Sequence, residues 1–449
     1  MPPSFYSSAC PVFAVAWLGN RAKETDAPAH VLYSGGGGST KSGVKNQIVV
    51  ANVKQSETEG GAPTFNEIST VETGERICST FHVDAVRENN KAQLAAMGMG
   101  DMFMIYGITS KYELIPVSSG AEFKGKKENT KADVKTITFD RKNGNVVATG
   151  DDEGIIRIIK LQNTDKVLKA LAKGSPKDLN SFPQIKFDEK VNEIIGHRDA
   201  ITSLHFNSTG KQLCSGSKDG TCRIWDVASG QELCVLPATS GLPPAYTKNK
   251  QVLKQMCRVA FFSGDDTSVY TLQNAARGVS YATKWSLSQK EGDNGSDNSK
   301  KKKEKKNKAD KPITQIDFSP MKTKEVANIP ITTMELSPCS NYLVMGDTRG
   351  CVAVYYADSL KKMKVYEGHQ LPVSSITVSN PHPQSKLSHC SILTGSGDKT
   401  IIIGSLRNEN ASGSSIMTFF CVLLMLLIIF LAFFAPQLIE DAIMKTLKS

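Results

Sequence analysis

The sequence predicts an all-β fold, a seven-bladed β-propeller, followed by a single C-terminal transmembrane helix. Two observations carry this prediction. Several segments repeat a pattern of β-branched alternation and a Gly- or Asp-bearing turn, which is typical of short antiparallel strands. Near its end, the chain contains an uncharged apolar run from Ile416 to Ala435.

The strongest repeat is IIGHRDAITSLHFNSTGKQLCSGSKDGTCRIWDV, from Ile194 to Val227. Its Gly-His start and its RIWD end resemble a WD repeat of a β-propeller. Weaker copies cover residues 134–161, 331–358 and 367–406, and a further strand-rich segment covers 257–287. Two upstream strand-rich stretches, near 12–53 and 64–118, bring the expected number of blades to seven. A propeller closes radially and therefore leaves no unpaired strand edge.

His197, Asp219 and Trp225 lie in this strongest repeat, and two interpretations of them are open. A catalytic histidine–aspartate pair is one. A buried hydrogen-bond network that locks the blade is the interpretation we favour, because buried polar groups need partners. The seven histidines form no HExxH motif, and no GxSxG precedes a predicted helix. We therefore expect no enzyme active site and no covalent chemistry.

Composition indicates a soluble globular part that stays reduced. The ten cysteines include no CxxC pair, which fits free thiols in the cytosol. Of the net charge of +10, the lysine run from Lys300 to Lys311 contributes +6. This run lies in a predicted disordered insertion, residues 289–312, which we place between the fifth and sixth blades. Because the rest of the chain is nearly balanced in charge, nucleic acid is not expected as a partner.

The apolar run sets the predicted domain organisation. At 1.5 Å rise per residue, the twenty residues 416–435 span about 30 Å as a helix, the thickness of a bilayer's hydrocarbon core. We expect a cytosolic propeller in residues 1–407, a linker in 408–415, the transmembrane helix in 416–435 and a short lumenal tail in 436–449.

A glycine-rich stretch, YSGGGGSTKSGVKNQIVV from Tyr33 to Val50, is the most unusual motif. A phosphate-binding P-loop needs GxxxxGK with Ser or Thr between a strand and a helix. Here Thr40 stands where the second glycine must be, and a β-branched strand follows. The loop is not expected to bind a nucleotide. Two interpretations remain: a plain blade connection, or a backbone that contacts a ligand or a partner.

This loop resembles the one that marks the prolactin regulatory element-binding protein family. Members are exchange factors of the endoplasmic reticulum membrane, which activate the Sar-type small GTPase that initiates COPII coats. The resemblance implies that Asn46 serves exchange activity and that the GTPase-binding residues are Gly35, Gly36, Gly37, Gly38, Lys41, Gly43 and Asn46. Because fungal relatives wrap a potassium ion in the backbone carbonyls of this loop, it also implies a possible potassium site between Gly35 and Asn46, and no other cofactor.

The resemblance covers nearly the whole chain: the glycine loop in the first blade, the propeller, CRVAFF in the fifth blade and the C-terminal span. Two features depart from it. The tail beyond the span is too short for the lumenal domain of fungal relatives, and the lysine-rich insertion is not a shared feature.

The expected function is therefore activation of the Sar-type GTPase at the endoplasmic reticulum membrane, which starts ER-to-Golgi vesicle transport. The protein would be single-pass, with its propeller in the cytosol. Two alternatives stay open. One is a DNA-binding transcription regulator, which the basic run would serve only by non-specific, salt-sensitive contacts. The other is a passive propeller scaffold on the membrane.

Overall fold

We analysed a computed structural model of the protein. It describes residues 4–18, 29–38, 43–54, 64–84, 92–127, 130–174, 181–188, 191–246, 249–288, 316–379 and 389–407. By internal contacts the chain divides into residues 1–380 with 391–404, and residues 381–390 with 405–449. The first of these units is the propeller. The second contains only five described residues, which belong to the ends of two strands of the last blade.

Seven β-sheets of antiparallel strands form the propeller, and the first three blades have these bounds. The first blade contains β2 (Val12–Leu18), β3 (Ala29–Gly35), β4 (Asn46–Lys54) and β5 (Thr64–Gly74). The second contains β6 (Cys78–Val83), β7 (Gln93–Met99), β8 (Met102–Ile108), β9 (Leu114–Pro116) and β10 (Ala121–Glu122). The third contains β11 (Val134–Phe139), β12 (Val146–Asp151), β13 (Ile155–Gln162), the helix α1 (Thr164–Leu171), β14 (Lys186–Phe187) and β15 (Asn192–Ile195).

The remaining four blades follow in the same order, from the innermost strand outward. The fourth contains β16 (Ile201–Phe206), β17 (Gln212–Ser217), β18 (Cys222–Asp226) and β19 (Glu232–Leu236), followed by a small ribbon of β20 (Ala245–Tyr246) and β21 (Val252–Leu253). The fifth contains β22 (Gln255–Phe262), β23 (Ser268–Ala275), β24 (Ser280–Leu287) and β25 (Phe318–Ala327). The sixth contains β26 (Ile331–Leu336), β27 (Tyr342–Asp347), β28 (Cys351–Tyr356) and β29 (Lys362–Glu367). The seventh contains β30 (Val373–Val378), β31 (His389–Ser396), β32 (Thr400–Arg407) and β1 (Ser4–Ser7).

The strand β1 closes the ring, because it is the outer strand of the last blade although it begins the chain. It pairs antiparallel with β32, with Tyr6 opposite Ile401. The Tyr6 ring also stacks on Phe65 of the first blade, with centroids 4.2 Å apart. The two ends of the propeller are thus joined by strand pairing and by an aromatic contact. The sequence did not predict this closure.

Every blade repeats one irregularity in its innermost strand. A β-bulge leaves one residue of that strand out of register with the second strand. The seven bulged residues are Phe13, Ser79, Lys135, Thr202, Arg258, Thr332 and Ser374. Consecutive innermost strands contact one another around the whole ring. The bulge therefore identifies seven blades even where the sequence repeat is weak.

Bulged residues also join neighbouring blades through their hydroxyl groups. Three of them donate to a backbone carbonyl of the next innermost strand: Thr202 to Cys257 (2.6 Å), Thr332 to Val373 (2.6 Å) and Ser374 to Val12 (2.7 Å). The last of these bonds links the seventh blade to the first. Apolar side chains fill the space between blades, as where Trp225 and Leu213 pack with Ile156 and Ile158.

Thr332→Val is expected to lower the free energy of unfolding by about 1–2 kcal/mol, because a buried carbonyl loses its donor while the side-chain shape is kept. Urea denaturation measures this. Thr377→Val, on the next innermost strand, is the matched control, because the Thr377 hydroxyl makes no hydrogen bond among the described residues. An equal effect of the two substitutions would show that the interblade bond contributes nothing.

The structure confirms the seven-bladed propeller and corrects two expectations about its strands. Residues 64–74 belong to the first blade and not to the second, because β5 pairs with β4. The lysine-rich insertion 289–312 lies outside the described residues, but it connects β24 to β25 and so falls within the fifth blade. The predicted position between the fifth and sixth blades was wrong. The error arose because β25 was not recognised as a strand: its middle residues are all exposed and lack apolar alternation.

The predicted linker, transmembrane helix and tail, residues 408–449, lie outside the described residues. Within the described part of the chain, no helix is long and apolar enough to cross a membrane. The transmembrane helix at 416–435 stays a prediction.

Candidate functional site

The glycine loop connects β3 to β4, the second and third strands of the first blade. In an antiparallel blade this connection leaves from the same edge as the connection into the next blade, here between β5 and β6. Both therefore lie on one face of the propeller. Residues 36–38 and 43–45 of the loop are described, whereas Lys41 lies outside the described residues.

Asn46 holds the base of this loop. Its side-chain oxygen Oδ1 accepts a hydrogen bond from the Gly38 N–H (3.0 Å), and its Nδ2 donates to the Gly38 carbonyl (3.2 Å). The same Nδ2 donates to the Gly74 carbonyl at the end of β5 (2.9 Å). The residue is only 3% exposed. The carboxamide thus bonds both the N–H and the carbonyl of Gly38, as a residue of a neighbouring strand would. It also joins the loop to β5, the outer strand of the blade.

Two of the four consecutive glycines are required by close contacts within the chain. A methyl group on Gly35 would lie 2.0 Å from the Pro11 carbonyl oxygen, and one on Gly36 would lie 2.0 Å from Asn46 Oδ1. Such distances are not compatible with any side chain. Gly35 and Gly36 therefore allow the first blade to pack against the segment before it and against Asn46, a role that the sequence did not reveal.

Two further glycines of the loop have backbone conformations that favour glycine. Gly38 and Gly43 have positive φ angles of 84° and 73°, in the left-handed region. No atom lies within 4 Å of a methyl group placed on Gly43, which is exposed. On one side of residues 39–42 the loop is thus fixed by Asn46, and on the other side Gly43 is open to solvent.

The described loop residues provide a limited test of the potassium site. The Gly38 carbonyl already accepts a hydrogen bond from Asn46, so one of its two lone pairs is occupied. The carbonyls of residues 39–42 lie outside the described residues. Among the described residues, no group of three or more His, Cys, Asp or Glu side chains could hold a metal ion. The potassium ion stays a prediction, and backbone oxygens alone would coordinate it.

A charged cluster lies beside the loop on the same face. Arg76, two residues after Gly74, contacts Asp101 (3.1 Å) and Glu122 (3.1 Å) in the second blade. Lys131 also contacts Asp101 (2.6 Å), and this hydrogen bond is the main cause that lowers the Asp101 pKa. At the loop itself, Lys45 pairs with Glu72 (2.6 Å) at an exposed position. The sequence gives no signal of this cluster, because its members come from separate connections between strands.

The residues predicted to lock the fourth blade lie in one buried network. His197 Nδ1 is 2.8 Å from Asp219 Oδ2, and Nε2 is 2.7 Å from Ser215 Oγ. Trp225 Nε1 donates to the same Ser215 oxygen (2.8 Å). Burial alone would raise the Asp219 pKa, but hydrogen bonds from His197 and Thr221 outweigh it and lower the pKa well below its usual range. Ser215, in the LCSGS run, was missed by the sequence analysis.

The seventh blade contains a second network of the same kind. His369 Nε2 is 2.8 Å from Thr394 Oγ1, and Nδ1 is 2.6 Å from Thr400 Oγ1 and 3.6 Å from Asp398. The position of Trp225 is taken by Gly404, six residues after the aspartate in both blades. In both networks the histidine nitrogens find partners within the blade. Both networks therefore have a structural role and hold the strands of their blades together.

Buried histidines make stability depend on pH. Burial lowers the pKa of His82 to about 4 and lowers those of His205 and His369. In the unfolded chain these groups take up protons near pH 6.5, whereas in the folded state they do not. The free energy of unfolding should therefore fall as the pH drops from 6.5 towards 4.

Glu335 opposes this trend, because desolvation inside the ring of blades raises its pKa to about 7, although its side chain is open to the central channel. The folded state then binds a proton that the unfolded state lacks above pH 4.5. Because three histidines lower the free energy of unfolding at acidic pH and one carboxyl raises it, a net loss of stability is expected as the pH falls. Urea denaturation at pH 7.5, 6.5 and 5.5 measures it. Glu335→Gln should steepen the decline, and an unchanged or shallower decline would contradict the assignment.

Comparison with known proteins agrees with this architecture. The family model described as "WD domain, G-beta repeat" matches residues 188–226 and 360–403. Each match covers the outer strand of one blade, β15 or β29, and the three inner strands of the next, the fourth or the seventh. Two solved structures share the fold over 90% of this chain. "COPII on membranes, outer coat vertex" has a TM-score of 0.56 at 14% identity and is covered over 85% of its length. Sqt1 from Chaetomium thermophilum has a TM-score of 0.54 at 12% identity and is covered over 98%.

The chain is a seven-bladed WD40 β-propeller. Its similarity to curated WD40 proteins is partial. Striatin-4 of Mus musculus is 36% identical over 104 residues, 21% of this chain and 13% of that protein. Eukaryotic translation initiation factor 3 subunit I of Mycosarcoma maydis is 24% identical over 226 residues, 50% of this chain and 52% of that protein. The propeller thus spans about an eighth to about half of these relatives, and they establish no activity for it.

Proposed function

We propose that this WD40 propeller is a guanine nucleotide exchange factor for a Sar-type small GTPase at the endoplasmic reticulum membrane, where it starts COPII coat assembly. The glycine loop of the first blade is the element that engages the GTPase. Exchange is a binding reaction and forms no covalent bond, so the protein needs no catalytic nucleophile or base.

The observation that carries the proposal is that the Asn46 side chain hydrogen-bonds both Gly38 and Gly74. A bare run of glycines would be too mobile to bind a partner well, because ordering it on binding costs entropy. The Asn46 carboxamide has already fixed the base of the loop. In this proposal the GTPase contacts the loop on this face of the propeller, with Lys41 among the contact residues.

The thermodynamics of exchange need only differential binding. A small GTPase holds its nucleotide through a phosphate loop, Mg²⁺ and two switch segments. A partner that binds the nucleotide-free form more tightly than the bound form weakens nucleotide binding by the same factor. A preformed loop inserted at the switch segments would act in this way. Cellular GTP then determines the direction of exchange.

The proposed membrane anchor rests on the sequence, which continues from β32 through residues 408–415 to the apolar run 416–435. Solved structures named for COPII add only the shared fold to this argument, since their identity with this chain is 14%.

The test is nucleotide release from a Sar-type GTPase loaded with fluorescent GDP, with the full chain in vesicles or detergent. We expect acceleration that saturates with the concentration of the propeller protein. Binding to the GTPase without acceleration would indicate a passive scaffold. A mainly soluble nuclear pool in cell fractionation would favour the transcription regulator. Either result would overturn the exchange function.

A further inference from the structure

The channel at the centre of the propeller contains a group of ionisable side chains. His82, His205 and Glu335 are each the next-to-last residue of an innermost strand, β6, β16 and β26. They therefore occupy the same level of three different blades. Glu335 is exposed to the channel and the two histidines are partly exposed, although the ring of blades surrounds them. This group is remote from the glycine loop, at the opposite end of the innermost strands.

Backbone hydrogen bonds fix both imidazoles. The Phe139 N–H donates to His82 Nδ1 (3.4 Å), and the Phe262 N–H donates to His205 Nδ1 (3.2 Å). Because Nδ1 is the acceptor in both rings, the proton of the neutral imidazole is on Nε2. Within the described residues, neither Nε2–H has an acceptor. Two donors from blades 2 and 4 are thus available to a ligand.

Arg141 adds a fixed positive charge to this group. It lies in the turn after β11, the innermost strand of the blade between those of His82 and His205. Its guanidinium lowers the pKa of each histidine, second to burial, and acts against the burial that raises the pKa of Glu335. It is therefore near all three. Among the described residues, the Arg141 side chain has no hydrogen-bond or ion-pair partner.

We propose that Arg141, His82 and His205 form a binding site for a tetrahedral oxyanion such as phosphate at this end of the channel. The N–H donor groups come from three consecutive blades at the same end of the channel, and charge-assisted hydrogen bonds from a guanidinium suit such an anion. Donors that approach from different directions match the separate oxygens of a tetrahedral anion better than the two coplanar oxygens of a carboxylate.

Glu335 makes the site sensitive to pH. Its carboxyl, with a pKa of about 7, is neutral at pH 6 and repels an anion at pH 8. Counted from the bulge of each innermost strand, the four remaining positions of this level are uncharged: Ala16, Thr138, Phe261 and Thr377. Burial lowers the pKa of both histidines, so between pH 8 and 6 they contribute donors without a change of charge. Binding should accordingly tighten as the pH falls from 8 to 6.

Isothermal titration calorimetry of the full chain with sulfate tests this, because sulfate keeps its charge over this pH range. We expect sulfate to bind at pH 6, and to bind about tenfold more weakly at pH 8. Arg141→Gln should weaken it at least about tenfold, whereas Lys142→Gln, which removes the same charge from the adjacent residue, should leave it unchanged. Glu335→Gln should abolish the pH dependence. Phosphate should compete with sulfate, and acetate should bind more weakly.

Equal sulfate affinities of the Arg141→Gln and Lys142→Gln proteins would overturn the proposal, as would the absence of binding at millimolar sulfate and pH 6. A second measurement does not depend on these variants. In the wild-type protein, the Nε2 resonances of His82 and His205 should shift on addition of sulfate in nitrogen-15 NMR, while those of His197 and His369 should not. The site is independent of the exchange function, so either can fail without the other.

Discussion

Asn46→Ala is expected to reduce the stimulated rate of GDP release by about a hundredfold, because a loop displaced by about 1 Å no longer meets its target geometry. The folded protein should lose only about 1–2 kcal/mol, since the half-buried Gly38 and the exposed Gly74 can bond to water instead. The substitution removes three hydrogen bonds that join the loop to β4 and β5. The loss should therefore appear in exchange and not in folding.

Two further variants separate loop shape from direct contact. Asn46→Asp keeps the acceptor for the Gly38 N–H but places an oxygen against the Gly38 and Gly74 carbonyls, so it should impair exchange as strongly as alanine. Asn52→Ala, the same change on the same strand, is the control. Among the described residues, the Asn52 side-chain oxygen has no hydrogen-bond partner.

Hydrogen exchange of the Gly38 amide provides a readout that does not depend on the GTPase. It should be slow in the wild type and fast in both Asn46 variants. If Asn46→Ala loses this protection and still stimulates GDP release at the wild-type rate, loop shape is not the basis of exchange. If the wild type itself does not stimulate release, the proposed function fails, whatever the behaviour of the loop.

The residues that the sequence identified correctly are those whose signals are local. The Gly-His and RIWD pattern locates the fourth blade, because a WD repeat places its lock within one hairpin and its neighbours. The glycine run and Asn46 were found by motif, but their physical roles were not. Gly36 must be a glycine because a methyl group there would lie 2.0 Å from Asn46 Oδ1. This contact depends on two parts of the blade meeting, which no spacing along the chain reveals.

Other features could not be predicted because they depend on distant parts of the chain. β25 was missed because an outer strand exposed on both faces has no apolar alternation. The group of His82, Arg141, His205 and Glu335 combines residues from four blades. Only the shared level of the innermost strands brings them together, and that level becomes visible once the seven bulges set the register.

Deletion of residues 1–9 is expected to cause the largest loss of stability, about 3–5 kcal/mol, because it removes β1. Four residue pairs between β1 and β32 are lost, together with the stacking of Tyr6 on Phe65 and its hydrogen bond to Glu67. The ring then has no strand that joins its last blade to its first. Urea denaturation of the full chain and of the deletion variant measures the difference in unfolding free energy.

The deletion should also change the association state, because it exposes the edge of β32 around Ile401, Ile402 and Ile403. Light scattering should show dimers or larger species where the intact chain, in the same detergent, does not. Tyr6→Phe is the matched control. It removes only the hydroxyl that bonds Glu67 at 3.3 Å and keeps the strand, so it should cost less than about 1 kcal/mol. A deletion variant with the stability and association state of Tyr6→Phe would mean that β32 closes the ring without β1.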